Sequence, residues 1–85
     1  MGGGFRRSSP KRISSDEGWV QINRVGLDIE LGGEVYHVSS EMLAPPMSVA
    51  VYFDTSVAAH ASRSNEIRAF LLEALTFAGF TVEFI

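Results

Sequence analysis

The sequence contains no cysteine, no long apolar run and few basic residues beyond its first fifteen positions. Without cysteine the chain has no disulfide framework, no thiolate nucleophile and no cysteine-based zinc site, which suits a reducing cytoplasm. No segment approaches the roughly 18 consecutive apolar residues that a membrane-spanning helix needs. With 85 residues, 46% of them hydrophobic and 20% charged, the composition predicts one small, soluble globular domain that does not bind a membrane.

Residues 1–15 have a composition of their own. They hold four of the seven basic residues, together with glycine and serine, and only three apolar side chains. No apolar core follows the basic residues, so the segment lacks the pattern of a signal peptide. The composition predicts a disordered basic leader over residues 1–15 and a single α+β domain over residues 16–85. Two roles are open to the leader: a solvated tail, or an arm that contacts nucleic acid or anionic lipid.

Acidic residues dominate the rest of the chain. From Ile13 onward ten acidic residues stand against three basic ones, a formal charge of −7, whereas the whole chain carries −3. An acidic surface repels phosphate backbones and favours cationic partners. The folded domain is therefore not expected to bind nucleic acid.

A β-hairpin is predicted over residues 27–38, where two runs of alternating apolar and polar residues flank Gly32-Gly33. Two glycines tolerate the positive φ angles that a two-residue hairpin turn requires. Such a turn fixes the register, and the predicted opposite pairs are Leu31 and Glu34, Ile29 and Tyr36, Asp28 and His37, and Leu27 and Val38.

One helix and two further strands are predicted, and residues 19–22 are predicted to be either a short first strand or a lead-in. A helical stripe of apolar residues predicts a helix from about 64 to 78, with Ser62 or Ser64 as its N-cap and Gly79 after its end. The two strands are predicted at 49–53 and at 81–85, and they are parallel if they are neighbours. Residues 39–46, with Pro45-Pro46, are predicted to be a connection, and residues 57–63 a short helical turn or an irregular loop.

These elements define an α+β fold. We expect a mixed, mainly antiparallel sheet of about four strands, with one helix packed on one face, in the order β-β-β-α-β. The other face of the sheet then meets solvent or a partner. By strand alternation it carries carboxylates beside apolar side chains, and Asp28, Glu30, His37 and Tyr52 are the predicted partner-binding residues. Alternatively, an N-terminal strand or a second subunit packs on that face.

The sequence predicts no catalytic residue, no cofactor site and no metal site. Its two histidines, His37 and His60, are far apart and belong to no metal-binding motif. His37 opposite Asp28 has the outline of a proton-transfer pair, but cross-strand pairs of this kind are usually surface contacts. The chain is not expected to be an enzyme.

Several short motifs carry a resemblance to a known family. They are GWVQI at 18–22, LDIELGG at 27–33, EML at 41–43, VYFDTSV at 51–57 and AGFTVEF at 78–84. With them, residues 18–85 resemble immunity protein 74, a family of small immunity proteins of bacterial polymorphic toxin systems. The chain departs from the family pattern at Ser40, where the family tends to have glycine, and at His60, where it tends to have tryptophan.

The resemblance implies a cytoplasmic, non-enzymatic protein that binds a partner toxin and blocks it by shape and charge complementarity. The cationic surface typical of nuclease toxins would suit the acidic domain. The alternative is a homo-oligomeric structural or adaptor domain, in which a second copy fills the open sheet face. A third interpretation is a small nucleic-acid regulator that uses the basic leader.

Overall fold

The structure, a computed structural model, describes residues 4–23, 25–43 and 48–85. These residues form an α+β fold with one α-helix and a seven-stranded mixed sheet, whose strands are ordered as they are along the chain. The predicted class is confirmed, whereas the prediction of about four strands is an undercount. The elements are β1 (Arg6–Ser9), β2 (Arg12–Ser14), β3 (Gly18–Ile22), β4 (Gly26–Leu31), β5 (Glu34–Leu43), β6 (Ser48–Val51), the 3₁₀ turn Val57–His60, α1 (Ser64–Phe77) and β7 (Thr81–Phe84).

The N-terminal segment contributes the first two strands of the sheet. β1 pairs antiparallel with β2, and β2 pairs antiparallel with β3. Ile13 lies opposite Val20, and both side chains are fully buried in the core. The prediction of a disordered leader over residues 1–15 is therefore wrong for its described part, because Ile13 has a place in the core of the domain predicted over 16–85.

A second contact fixes this segment to the helix. The ring of Phe5 lies 5.4 Å from that of Phe70 and 6.0 Å from that of Phe77, measured between centroids. Arg7 donates a hydrogen bond to the carbonyl of Ala78, just beyond the end of α1, at 3.5 Å. A cation at this position complements the negative end of the helix dipole.

The hairpin of β4 and β5 has the predicted register, with Ile29 opposite Tyr36. Both turn glycines adopt positive φ, 64° at Gly32 and 90° at Gly33. β5 runs further than predicted, because its first part pairs with β4 while residues 40–43 pair with β6. The connection predicted at 39–46 is therefore strand through Leu43, and its proline pair lies outside the described residues.

The C-terminal part follows the prediction closely. β6 and β7 are parallel neighbours, joined by the 3₁₀ turn and α1. The predicted stripe of α1 is buried against the sheet, and its members are Ile67, Phe70, Leu71, Ala74, Leu75 and Ala78.

The C-terminal end of α1 agrees with the prediction, whereas the N-terminal end does not. At the C-terminus, Gly79 has a φ of 99° and the N–H of Phe80 donates to the carbonyl of Leu75 at 2.9 Å, which completes the expected glycine ending. At the N-terminus the predicted serine cap is wrong. The N-cap is Arg63, which makes no side-chain capping bond and instead donates from Nε to Oε1 of Glu66 at 2.6 Å.

Candidate functional site: the outer face of the sheet

We call the sheet face that is turned away from α1 the outer face. Residues paired across antiparallel strands share a face, and successive residues alternate between faces. In β4 the apolar residues Leu27, Ile29 and Leu31 point to the core, so Asp28 and Glu30 point outward. The outer face therefore carries the predicted partner-binding carboxylates, and α1 does not cover them.

Asp28 and His37 form the centre of this face. Nδ1 of His37 lies 2.8 Å from Oδ1 of Asp28, and Nδ2 of Asn23 donates to Oδ2 of the same carboxylate at 2.7 Å. The side chains of His37 and Asp28 are 53% and 32% exposed. A carboxylate held on both oxygens has a fixed orientation, yet each oxygen has a further acceptor site available to a partner.

Gly26 leaves room for this arrangement. A side chain at Gly26 would bring its Cβ within 2.8 Å of two ring atoms of His37 and of the carbonyl oxygen of Val38. The absence of a side chain therefore lets the imidazole lie close over the backbone of β4 beside Asp28.

Glu30 lies two residues along β4 on the same face as Asp28. Its Oε2 accepts a hydrogen bond from the backbone N–H of Gly33 at 2.9 Å. The hairpin turn thus orients this carboxylate. Three of the four predicted residues, Asp28, Glu30 and His37, are brought together as the sequence indicated.

Tyr52 lies on the outer face but in a different neighbourhood. It follows β6, and its hydroxyl donates to Oε1 of Glu41 on β5 at 2.8 Å. This bond and the adjacent negative charge raise the pKa of the Tyr52 phenol above its ordinary value of 10. Tyr52 therefore forms a second pair, with Glu41, that is separate from the pair of Asp28 and His37. The sequence pattern did not single out Glu41 as a site residue.

Replacing Glu41 by glutamine is expected to lower the pKa of Tyr52 towards 10, because the neutral amide no longer opposes a phenolate. The change can be followed by the ultraviolet absorbance of tyrosinate during an alkaline titration. Tyr36 is the internal control, because its pKa is raised by a different carboxylate, that of Glu34. An unchanged Tyr52 titration would show that the bond to Glu41 does not form in solution.

A polar network that the sequence pattern did not reveal continues from Asn23 towards β2. Nε2 of Gln21 donates to Oδ1 of Asn23 at 3.2 Å, and Arg12 donates to Oε1 of Gln21 from two nitrogens, at 3.1 and 2.7 Å. The guanidinium of Arg12 also lies 4.0 Å from the ring centroid of Trp19, in a cation–π contact. Trp19 is half-buried on the outer face.

Charge is unevenly distributed over the outer face. We call the outward carboxylates of β4 to β7 the acidic half and the outward arginines of β1 and β2 the basic half. The cross-strand register assigns the members to this face. They are Asp28, Glu30, Glu41 and Glu83 in the acidic half, and Arg6 and Arg12 in the basic half.

A separate cleft of about 540 Å³ opens beside the N-terminal part of α1, away from the outer face. Phe5 and Phe70 line it together with glutamates and Arg63. Arg63 already engages Glu66, which raises the pKa of the guanidinium further above its ordinary value. None of the predicted partner-binding residues lines this cleft.

Across residues 4–23, 25–43 and 48–85, no group of three metal-ligating side chains converges, and no helix has the length and apolarity to cross a membrane. In comparisons with known proteins, no protein-family model, no curated protein and no solved structure matches the chain.

Proposed function

We propose that this protein is a toxin-neutralising immunity protein that binds its partner non-covalently through the acidic half of the outer face. The observation that carries the proposal is the placement of four carboxylates on a sheet face that α1 leaves uncovered. The resemblance of residues 18–85 to the immunity protein 74 family supports the same role. The proposal involves no catalysis and no cofactor.

Charge complementarity supports a cationic partner, but the attraction does not come from a net charge of −7 on the folded domain. Because β1 and β2 belong to the sheet, their basic residues are part of the same folded unit, and the whole chain carries −3. The attraction is therefore local, between the acidic half and a cationic patch on the toxin. Local complementarity of this kind speeds the encounter and fixes the orientation of the complex.

Preorganisation adds to the fit. Hydrogen bonds within the protein hold three carboxylates of the acidic half before any partner arrives: Asp28 with Asn23, Glu30 with Gly33, and Glu41 with Tyr52. Side chains that are already ordered lose less conformational entropy on binding. A lysine or arginine of the toxin would then meet carboxylates whose orientation is already fixed by these hydrogen bonds.

The double variant Asp28→Lys and Glu30→Lys tests this function. With a purified candidate toxin, identified by co-purification with this protein from its native host, we expect association to slow about tenfold or more at low salt. The loss should shrink as salt rises, because exposed charges are screened within about 10 Å at 0.1 M. Stopped-flow fluorescence of Trp19 gives the rates, and growth of cells expressing both proteins reports neutralisation.

The matched control is Asp54→Lys with Glu73→Lys, which changes the net charge by the same amount at exposed positions outside the strands of the sheet. The control should bind at a rate close to the unchanged protein. Equal slowing by both variants would assign the effect to net charge alone, and no slowing in either would contradict the proposed surface.

The alternative function is a homo-oligomeric structural or adaptor domain. One observation favours it: the outer face carries both a basic and an acidic half, so it can complement itself. In that case the variant Asp28→Lys and Glu30→Lys would change the monomer–dimer equilibrium with no toxin present.

A further inference from the structure

The outer face has a regular arrangement of charge about β3. The register places Arg12 of β2, Gln21 of β3 and Asp28 of β4 in one cross-strand row. Neighbouring strands are about 4.8 Å apart, so Arg12 and Asp28 lie at similar distances on the two sides of Gln21. A positive and a negative charge thus flank β3.

The next outward cross-strand row is also centred on β3. Trp19 of β3 lies between Ser14 of β2 and Glu30 of β4, and Arg6 of β1 extends this row on the basic side. Val35 of β5 extends it on the other side and is 61% exposed. Apolar side chains therefore lie between and beside the charges, as in the apolar centre of a polar-rimmed interface.

We propose that the outer face docks on the outer face of a second copy of this chain, about a two-fold axis that runs along β3. Such an axis exchanges the positions of β2 and β4. It brings Arg12 of each copy against Asp28 of the other, and Ser14 against Glu30. The dimer contact therefore contains two symmetry-related ion pairs between Arg12 and Asp28.

A two-fold contact is self-complementary, so each favourable pair occurs twice. Trp19 of the two copies would meet near the axis, where large amphipathic rings contribute most to binding. The cation–π contact with Arg12 orders the indole before docking. The inference requires no toxin and does not rest on the proposed function. Because both use Asp28 and Glu30, a dimer would have to separate before those carboxylates could bind a toxin.

Analytical ultracentrifugation of the whole chain, over a range of concentration and salt, tests the dimer. We expect reversible dimers at about 50 mM salt that dissociate at about 0.5 M, because exposed ion pairs are screened. A chain that is monomeric at millimolar concentration in low salt would overturn the proposal. Dimers that are insensitive to salt would also overturn it, since they would use another surface.

Charge reversal makes the test specific. The variants Arg6→Glu with Arg12→Glu, and Asp28→Lys with Glu30→Lys, should each dimerise about tenfold more weakly or not at all. An equimolar mixture of the two should form a heterodimer, because every repulsive pair then becomes attractive. The control Asp54→Lys with Glu73→Lys should dimerise like the unchanged chain. Failure of the mixture to associate would contradict the axis along β3.

A crosslinking test does not depend on the reversed variants folding. The chain has no cysteine, so a single thiol can be placed at will. Packed sheets lie about 10 Å apart, so a short bismaleimide should link Gln21→Cys, on the axis, into covalent dimers. Ser39→Cys, on β5 and away from the axis, should link poorly at the same concentration. Equal linking at both positions would overturn the proposed geometry.

Discussion

A chain that begins at Asp16 is expected to lose its cooperative unfolding transition at room temperature. The truncation removes β1, β2 and the fully buried Ile13, and it leaves Val20 and the edge of β3 uncovered. It also removes Phe5 from its contact with the aromatic residues of α1. A small domain has a total stability on the order of 5–15 kcal/mol, which losses of this size can consume.

Circular dichroism during urea denaturation measures this effect. A point variant keeps the result quantitative: Ile13→Ala should lower the free energy of unfolding by about 2–5 kcal/mol, as for other fully buried residues. Lys11→Ala, in the exposed turn between β1 and β2, should change it by less than about 0.5 kcal/mol. A truncated chain that unfolds with the same midpoint as the whole chain would restore the prediction of a disordered leader over residues 1–15.

The second large effect is expected at Leu71, at the centre of the buried stripe of α1. Leu71→Ala should lower the free energy of unfolding by about 2–5 kcal/mol, because it removes apolar contacts and leaves a cavity. Leu72→Ala is the matched control: the same substitution one position along the helix, where the side chain is 40% exposed. We expect the control to cost less than about 1 kcal/mol. Equal costs in urea denaturation would mean that the helix packs with a different face.

Local pattern was sufficient to predict the hairpin of β4 and β5 and the helix. Gly32-Gly33 fixes both the turn and the register, so the sequence pattern by itself places Asp28 opposite His37, where the two side chains are in contact. The stripe of α1 and its glycine ending also depend only on residues close in sequence.

The errors concern features that tertiary pairing decides. β1 and β2 are polar strands at the edge of the sheet, and a single buried residue, Ile13, fixes β2 to the core, which composition alone does not reveal. The length of β5 also depends on its two different neighbours.

The outer-face network was missed for the same reason. Arg12 lies within the predicted leader, so the sequence pattern does not predict its contacts with Trp19 and Gln21. Nothing in the local sequence pairs Tyr52 with Glu41 either, since eleven positions separate them. Pairing across strands, rather than spacing along the chain, brings these side chains together.

The proposed function requires the outer face of the sheet to bind the partner. A titration of isotopically labelled protein with the purified toxin candidate, followed by amide chemical shifts, tests it most directly. The proposal predicts that the largest shifts and intensity losses fall on β3, β4 and β5 around Asp28, Glu30 and His37, and that α1 is unaffected. Perturbations confined to α1 and the cleft beside Arg63 would contradict it, as would a spectrum that does not change.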